Sequence, residues 1–371
     1  MNYLISSTGL ISLGLWLLSL PVGAAQPCDT SSADYAACIA QLYRQPIAQW
    51  PAPTVDADID WQEMAPLPDH APAPSNNPFT QAKAELGKTL FNDPKLSRSG
   101  QIACASCHEA DMAFADGRRV SFGHDRQSGR RNAPSLVMSG YSQALFWDGR
   151  GGSQEQQATQ PIIDPVEMAF DIPQLLERLN ADATYRTQFA QVFGASPITQ
   201  EQTSYALATY QRTLVTATRN TAFEQLLRGR PQRMNDQQLY GLHVFRTKAR
   251  CMNCHFGPAL SDDQFHNVGL SYYGRKYEDL GRYEVTGKPE DVGAFRTPSL
   301  RLVMKTGPWM HNGLFVTMDG TLAFYNMGMP RPRPNAQQAN DPLFPKTSDR
   351  LKALNMDKDE LRALRSFLDT L

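Results

Sequence analysis

One five-residue pattern occurs twice in this chain, as Cys104-Ala105-Ser106-Cys107-His108 and as Cys251-Met252-Asn253-Cys254-His255. Two cysteines three apart with a histidine directly after them share one face of a helix. Thiols so placed can add to the two vinyl groups of a haem while the imidazole reaches the iron from the same side, and CxxCH is the attachment pattern of c-type haem. A redox dithiol or a zinc site would account for a single copy. Two copies in a chain that repeats itself point to two covalently bound haem c groups.

The repeat extends well beyond those motifs. Gly87-Lys88-Thr89-Leu90-Phe91 precedes the first and Gly241-Leu242-His243-Val244-Phe245 the second. Ala133-Pro134-Ser135-Leu136 follows the first and Thr297-Pro298-Ser299-Leu300 the second. Fifteen residues beyond each proline stands a turn glycine, in Trp147-Asp148-Gly149 and His311-Asn312-Gly313. Such self-similarity is the mark of a duplicated unit. The expected fold is mainly α, with two tandem class I cytochrome c-like haem domains, at residues 76–230 and 231–371. No run of alternating strand residues argues otherwise. The 26 prolines and 25 glycines suit long loops between short helices. Helices are expected from Asn77-Pro78 to about Phe91, with Asn as cap, and from the capping boxes Thr199/Gln202, Asn235/Gln238 and Asp357/Glu360. In the last of these, Leu361, Leu364 and Leu368 fall on one face.

Residues 1–25 carry no charged side chain, and an apolar run from Leu10 to Leu20 is followed by small residues. This reads as a signal peptide for export to the periplasm, although Lys and Arg are missing before the run. An uncleaved membrane anchor is the alternative, for which the run is short. Export to an oxidising compartment suits a disulfide between Cys28 and Cys38. Residues 26–75 form an extension, with Trp50 and Trp61 as anchors onto the body. A net charge of −1 gives no reason to expect nucleic acid as a partner.

From about Asn76 onward the chain resembles the bacterial di-haem cytochrome c peroxidase and MauG family. The resemblance rests on the two CxxCH motifs, Arg131-Asn132-Ala133-Pro134, Phe146-Trp147-Asp148-Gly149-Arg150, Pro165-Val166-Glu167-Met168, Thr297-Pro298-Ser299-Leu300-Arg301 and Thr306-Gly307-Pro308-Trp309-Met310-His311-Asn312-Gly313. It implies a peroxide site at the N-terminal haem and an electron-transfer site at the C-terminal one. Glu167 matches the distal glutamate of that family. The chemistry agrees, because cleaving a peroxide O–O bond needs a base for the first proton and an acid for the departing hydroxide. A carboxyl group starting near ~4.3 can serve both once burial raises it to ~6–7. Gln157 and Pro161 match other distal-pocket positions, and Trp147 the tryptophan between the haems. Asn132, Thr306 and Pro308 match oxygen donors for Ca²⁺, a hard cation.

Two positions bear on the subtype. His124, sixteen residues after His108, stands where peroxidases carry a releasable ligand of the first iron. Tyr325, fourteen residues after His311, stands where peroxidases carry a methionine ligand of the second iron and MauG-like enzymes a tyrosine. Met327 and Met329 are the competing ligands. The resemblance implies hydrogen peroxide as substrate and a protein electron donor or protein substrate as partner, with a homodimer among the assemblies it allows. The competing function is a non-enzymatic di-haem electron carrier with both irons saturated; a high-spin ferric haem separates the two. Arg118, Arg119, Arg126, Arg130 and Arg131, and later Arg246, Lys248 and Arg250, flank the motifs. They either dock an acidic partner, pair with haem propionates, or are simply solvated.

Overall fold

The computed structural model describes residues 28–29, 32, 34–195 and 197–371. The signal-peptide segment lies outside these residues. The fold is mostly helical. Its strands are two dipeptides, Phe265–His266 and Phe295–Arg296, paired antiparallel with Phe265 opposite Arg296.

Two helix pairs organise the chain. Gln81–Asn92 packs on Gln200–Thr213, and Asp236–Arg246 packs on Lys358–Leu368. In each pair a glycine lets the backbones touch. A Cβ on Gly87 would lie 1.9 Å from Ala206 O and 2.8 Å from Tyr210 Cβ. A Cβ on Gly241 would lie 1.9 Å from Ala363 O and 2.8 Å from Phe367 Cβ. The sequence repeat therefore records one helix crossing used twice. The serines repeat likewise: Ser135 Oγ donates to Ala113 O and Ser299 Oγ to Ala259 O, each at 2.6 Å. The Leu145–Gly151 and Trp309–Phe315 bridges close the two turns whose glycines, Gly149 and Gly313, take φ of +72° and +60°.

A carbon–oxygen contact normally sits near ~3.3 Å, so the crossing has no room for a methyl group. Gly241→Ala is expected to destabilise the holoprotein by about 1–3 kcal/mol through overpacking. Chemical denaturation measures this, and an unchanged midpoint would mean that the helices can part at no cost.

The capping boxes form at Thr199/Gln202, Asn235/Gln238 and Asp357/Glu360. Leu364 and Leu368 are buried, with Leu361 packed against the same core. The first expected helix starts later than Asn77. Thr80 caps it, accepting from Lys83 N. Asn77 is instead a fully buried hub, whose amide donates to Glu155 and to Tyr205 O while its oxygen accepts from Lys83 Nζ. An Asn-Pro pair looks like a cap because both residues favour helix entry; here the buried polar partners decide. The CxxCH segments are not α-helical either. Each leading cysteine opens a single 3₁₀ turn, Cys104–Ser106 and Cys251–Asn253.

There are two hydrophobic cores. One is built mainly from residues 67–215 and the other from residues 39–64 together with 223–371. The early part of the chain thus packs on the later half. Cys28 and Cys38 form a disulfide beside the Tyr35–Tyr43 helix, which lies on the Asp236–Arg246 helix. Trp50 is buried and Trp61 packs against the same core. Further on, Asp56 N donates to Asn253 Oδ1 at 2.8 Å, Glu63 receives both Nη atoms of buried Arg246, and Gly257 N donates to Gln62 O. Residues 51–64 are strapped across the second CxxCH loop. Buried Arg301 meets buried Glu224 at 2.9 Å, and Glu224 also accepts from Leu67 N.

Candidate haem and peroxide site

Both motif histidines are held in the same way. His108 Nδ1 lies 2.9 Å from Phe114 O and His255 Nδ1 lies 3.0 Å from Leu260 O. A carbonyl only accepts, so Nδ1 carries the proton and Nε2 keeps its lone pair for a metal. Each carbonyl is aimed back at its histidine by a left-handed residue, φ +57° at Phe114 and +52° at Leu260. Burial also holds both imidazoles below their usual range, in the neutral form that ligation needs. None of the four motif cysteines is disulfide-bonded, and burial pushes Cys104 and Cys251 up to about 12. A reactive dithiol is activated by the opposite shift. The donor set therefore fits covalent haem and not redox thiol chemistry.

Glu167 is gathered to the first motif. Its charge bears on both Cys104 and Cys107. Burial, reinforced by Asp164, lifts its carboxyl to about 7 against the pull of Arg150. Its carbonyl accepts from His124 N at 2.8 Å, and Val166 O would lie 2.1 Å from a Cβ on Gly123, so the His124 turn packs closely on the Glu167 turn. Pro161 O accepts from Met168 N, which brings the Pro161 turn to the same place. Gln157 lies one turn earlier, partly buried, at the end of the Gln154–Gln157 helix capped by Ser153. The His124 side chain sits 3.5 Å from the Asp125 carboxylate.

The second motif opens onto a cavity bordered by His255, Tyr325, Trp147, Asn132, Thr306 and Pro308. Tyr325 comes from the Met318–Asn326 helix and lies close enough to Cys251 and Cys254 to feel their charge, while burial pushes its phenol upward. Met327 is 67 % exposed and Met329 is buried away from the cavity. Trp147 Nε1 donates to Asn132 O at 2.9 Å, and Asn132 N donates to His311 O. The Asn132 amide nitrogen is committed to Arg118 O, which leaves Oδ1 free to accept. A free amide oxygen with backbone carbonyls at Thr306 and Pro308 is a donor set suited to a hard cation.

His311 is a residue the sequence reading passed over as part of a repeated turn. It is 2 % exposed, stacks on Phe295 at 3.6 Å and meets Trp147 edge-on at 6.4 Å. Its Nε2 is buried without a hydrogen-bond partner among the described residues, and burial lowers the ring to about 3. Its signal was its place in the repeat opposite Trp147. Asp262 and His266, joined at 2.8 Å beside Cys254, were missed as well.

Most of the flanking basic residues are already paired. Arg131 binds Asp148 and Asp279, Arg130 binds Asp279 and Glu284, and Arg246 is buried on Glu63. Lys248 binds Glu360 and Arg250 binds Asp56. These five already have carboxylate partners, whereas Arg118, Arg119 and Arg126 make no ion pair among the described residues.

Two half-buried CxxCH loops with neutral histidines, one under the charge of a carboxyl poised near neutrality, point to a di-haem c-type oxidoreductase. Sequence comparison agrees. The model of the di-haem cytochrome c peroxidase family matches residues 81–232. The methylamine utilization protein MauG of Methylophilus methylotrophus is 41 % identical over 264 residues, covering 69 % of this chain and 76 % of that protein. Cytochrome-c peroxidase IdrP1 of Denitromonas iodatirespirans is 34 % identical, covering 85 % and 87 %. The crystal structure of a MauG-like protein associated with microbial copper homeostasis superposes with a TM-score of 0.72 at 29 % identity, covering 86 % of this chain and 95 % of that one. The chain belongs to the di-haem cytochrome c peroxidase and MauG family. It is an oxidoreductase acting on hydrogen peroxide. No helix among the described residues is long and apolar enough to cross a membrane.

Proposed function

We propose that the chain comprises an N-terminal peroxidatic haem domain and a C-terminal electron-transfer haem domain, and that it reduces hydrogen peroxide at the first with electrons from a protein partner. In balance, H₂O₂ takes two electrons and two protons to give two waters. Cys104, Cys107 and His108 hold the first haem, and Cys251, Cys254 and His255 the second. Bound haem supplies a Lewis-acidic, redox-active iron. Glu167 accepts the first peroxide proton and returns it to the leaving oxygen, with Gln157 and Pro161 shaping the pocket and His124 as a releasable cap. The observation that carries this reading is the Glu167 carboxyl, lifted to about 7 beside the first motif. A pure electron carrier has no use for it.

Tyr325 favours one branch. Tyr325 and His255 border one cavity, and as an anionic oxygen ligand Tyr325 would favour oxidised iron there, so the natural partner would be a protein oxidised at Trp or Tyr side chains. Trp147, between the haem sites, relays the electrons. The deciding experiment is the ferric spectrum with rapid mixing against peroxide. A high-spin haem that reacts within milliseconds supports the enzyme. Two low-spin haems, inert before and after partial reduction, would return the chain to the carrier reading.

Calcium completes the proposal, bound by Asn132 Oδ1 and the carbonyls of Thr306 and Pro308. Chelation is expected to change the spin state of one haem and reduce turnover, with added Ca²⁺ restoring both. An unchanged spectrum after metal removal verified by elemental analysis would count against the site.

A further inference from the structure

Residues 272–277 build a surface outside the haem motifs. Tyr272 and Tyr277 meet edge-on at 6.1 Å, and Tyr277 is 43 % exposed. Three cations cover them: Arg275 over Tyr272 at 5.4 Å, Lys276 over Tyr277 at 5.1 Å and Arg119 over Tyr277 at 5.4 Å. None of the three forms an ion pair among the described residues. Of the nearby carboxylates two are ion-paired, and the third, Glu278, offsets only one of the three positive charges. Asp279 and Glu284 are bound by Arg130 and Arg131, and the exposed Glu278 accepts from Gly274 N. The surface is therefore cationic and aromatic at once, the composition enriched at protein-binding hot spots.

Its location matters as much as its chemistry. Arg119 belongs to the first haem motif's half of the chain and Tyr277 to the second's. Arg119 Nη1 reaches Asn312 O at 3.5 Å, and Arg119 O would lie 2.3 Å from a Cβ on Gly313. The residue before Asn312 is His311, whose ring meets Trp147. Through Arg119 the surface thus adjoins the Asn312-Gly313 turn, which follows His311 and its contact with Trp147.

Resting on the reading that a protein exchanges electrons with this enzyme, we propose that Arg119, Tyr272, Arg275, Lys276 and Tyr277 form its docking surface, and that the partner presents an acidic patch. Complementary rim charges act chiefly on encounter and are screened by salt.

The test uses the holoenzyme with two reduced probes, a small acidic c-type cytochrome and a small basic one, and with ABTS as a synthetic donor. Arg275→Glu with Lys276→Glu is the variant, since both side chains are exposed and unpaired. KM for the acidic cytochrome is expected to rise on the order of tenfold with kcat little changed, and its salt dependence to flatten. ABTS turnover stays at the wild-type level. Tyr277→Ala is expected to raise the same KM without altering the salt dependence. An unchanged KM in both variants overturns the proposal, as does a wild-type preference for the basic cytochrome. Failure of the wild type with all three donors would instead overturn the peroxidase reading.

Discussion

Glu167→Gln is expected to retain both haems and the fold yet lose about 10²–10⁴-fold in its rate of reaction with peroxide, the usual contribution of a positioned acid–base group. The amide keeps the shape of the side chain and removes its proton chemistry. The pH dependence supplies an internal check. Burial and Asp164 raise the carboxyl to about 7. The base form is then the minor species at pH 6 and the major one at pH 8, so the wild-type rate should climb through neutrality and level off above it, and the variant's should not. Stability moves the other way. A carboxyl whose folded value lies above its unfolded one favours the fold while both are protonated, and this contribution is lost as the pH rises through about 7. Glu167→Gln should therefore be no less stable than the wild type at pH 8. Peroxide rates within a few-fold of wild type across that range would remove Glu167 from the chemistry.

Tyr325→Met is expected to make the second haem easier to reduce by on the order of 0.1 V or more, the axial ligand being a main control of haem potential. A thioether favours ferrous iron, whereas a phenolate favours ferric. The free phenol loses its proton only near ~10 and burial pushes Tyr325 higher still, so ligation has to displace that proton. The variant should keep a low-spin second haem, should give up oxidation of protein Trp or Tyr side chains, and should retain or gain turnover with a small donor. Met327→Ala is the companion variant. Its side chain is 67 % exposed, and its removal should leave the second haem's spectrum and potential untouched. A shift on Met327→Ala with none on Tyr325→Met would reverse the ligand assignment.

What the sequence made legible was local or repeated. The CxxCH motifs act within five residues, the capping boxes within four, and the two helix crossings announce themselves because Gly87 and Gly241 recur in the same string. Tyr325 is singled out by its spacing from His311 and Glu167 by the Pro165-Val166-Glu167-Met168 string. The rest depended on partners far along the chain. Arg246 looks like a solvated flank of the second motif until Glu63, 183 residues earlier, is folded against it. Asn77 reads as a cap until Glu155 and Lys83 surround it. His311 has no signature of its own, because what marks it is an orphaned nitrogen in a buried stack. The strap at residues 51–64 has no periodicity, since it is held by single bonds to loops and not by a repeating face.

That strap also joins parts of the chain that lie far apart in sequence. Residues 35–64 are synthesised long before the helices Asp236–Arg246 and Lys358–Leu368 on which their core depends. Contacts of such separation close late, because the loop they span must first be paid for in chain entropy. The second CxxCH loop is therefore covered by a segment nearly two hundred residues away in sequence, so its cover rests on long-range contacts alone. Once Asp56 settles on Asn253 and Arg250, the loop is sealed. The early segment thus works as a clasp on the second CxxCH loop, and loosening it is expected to expose that loop first.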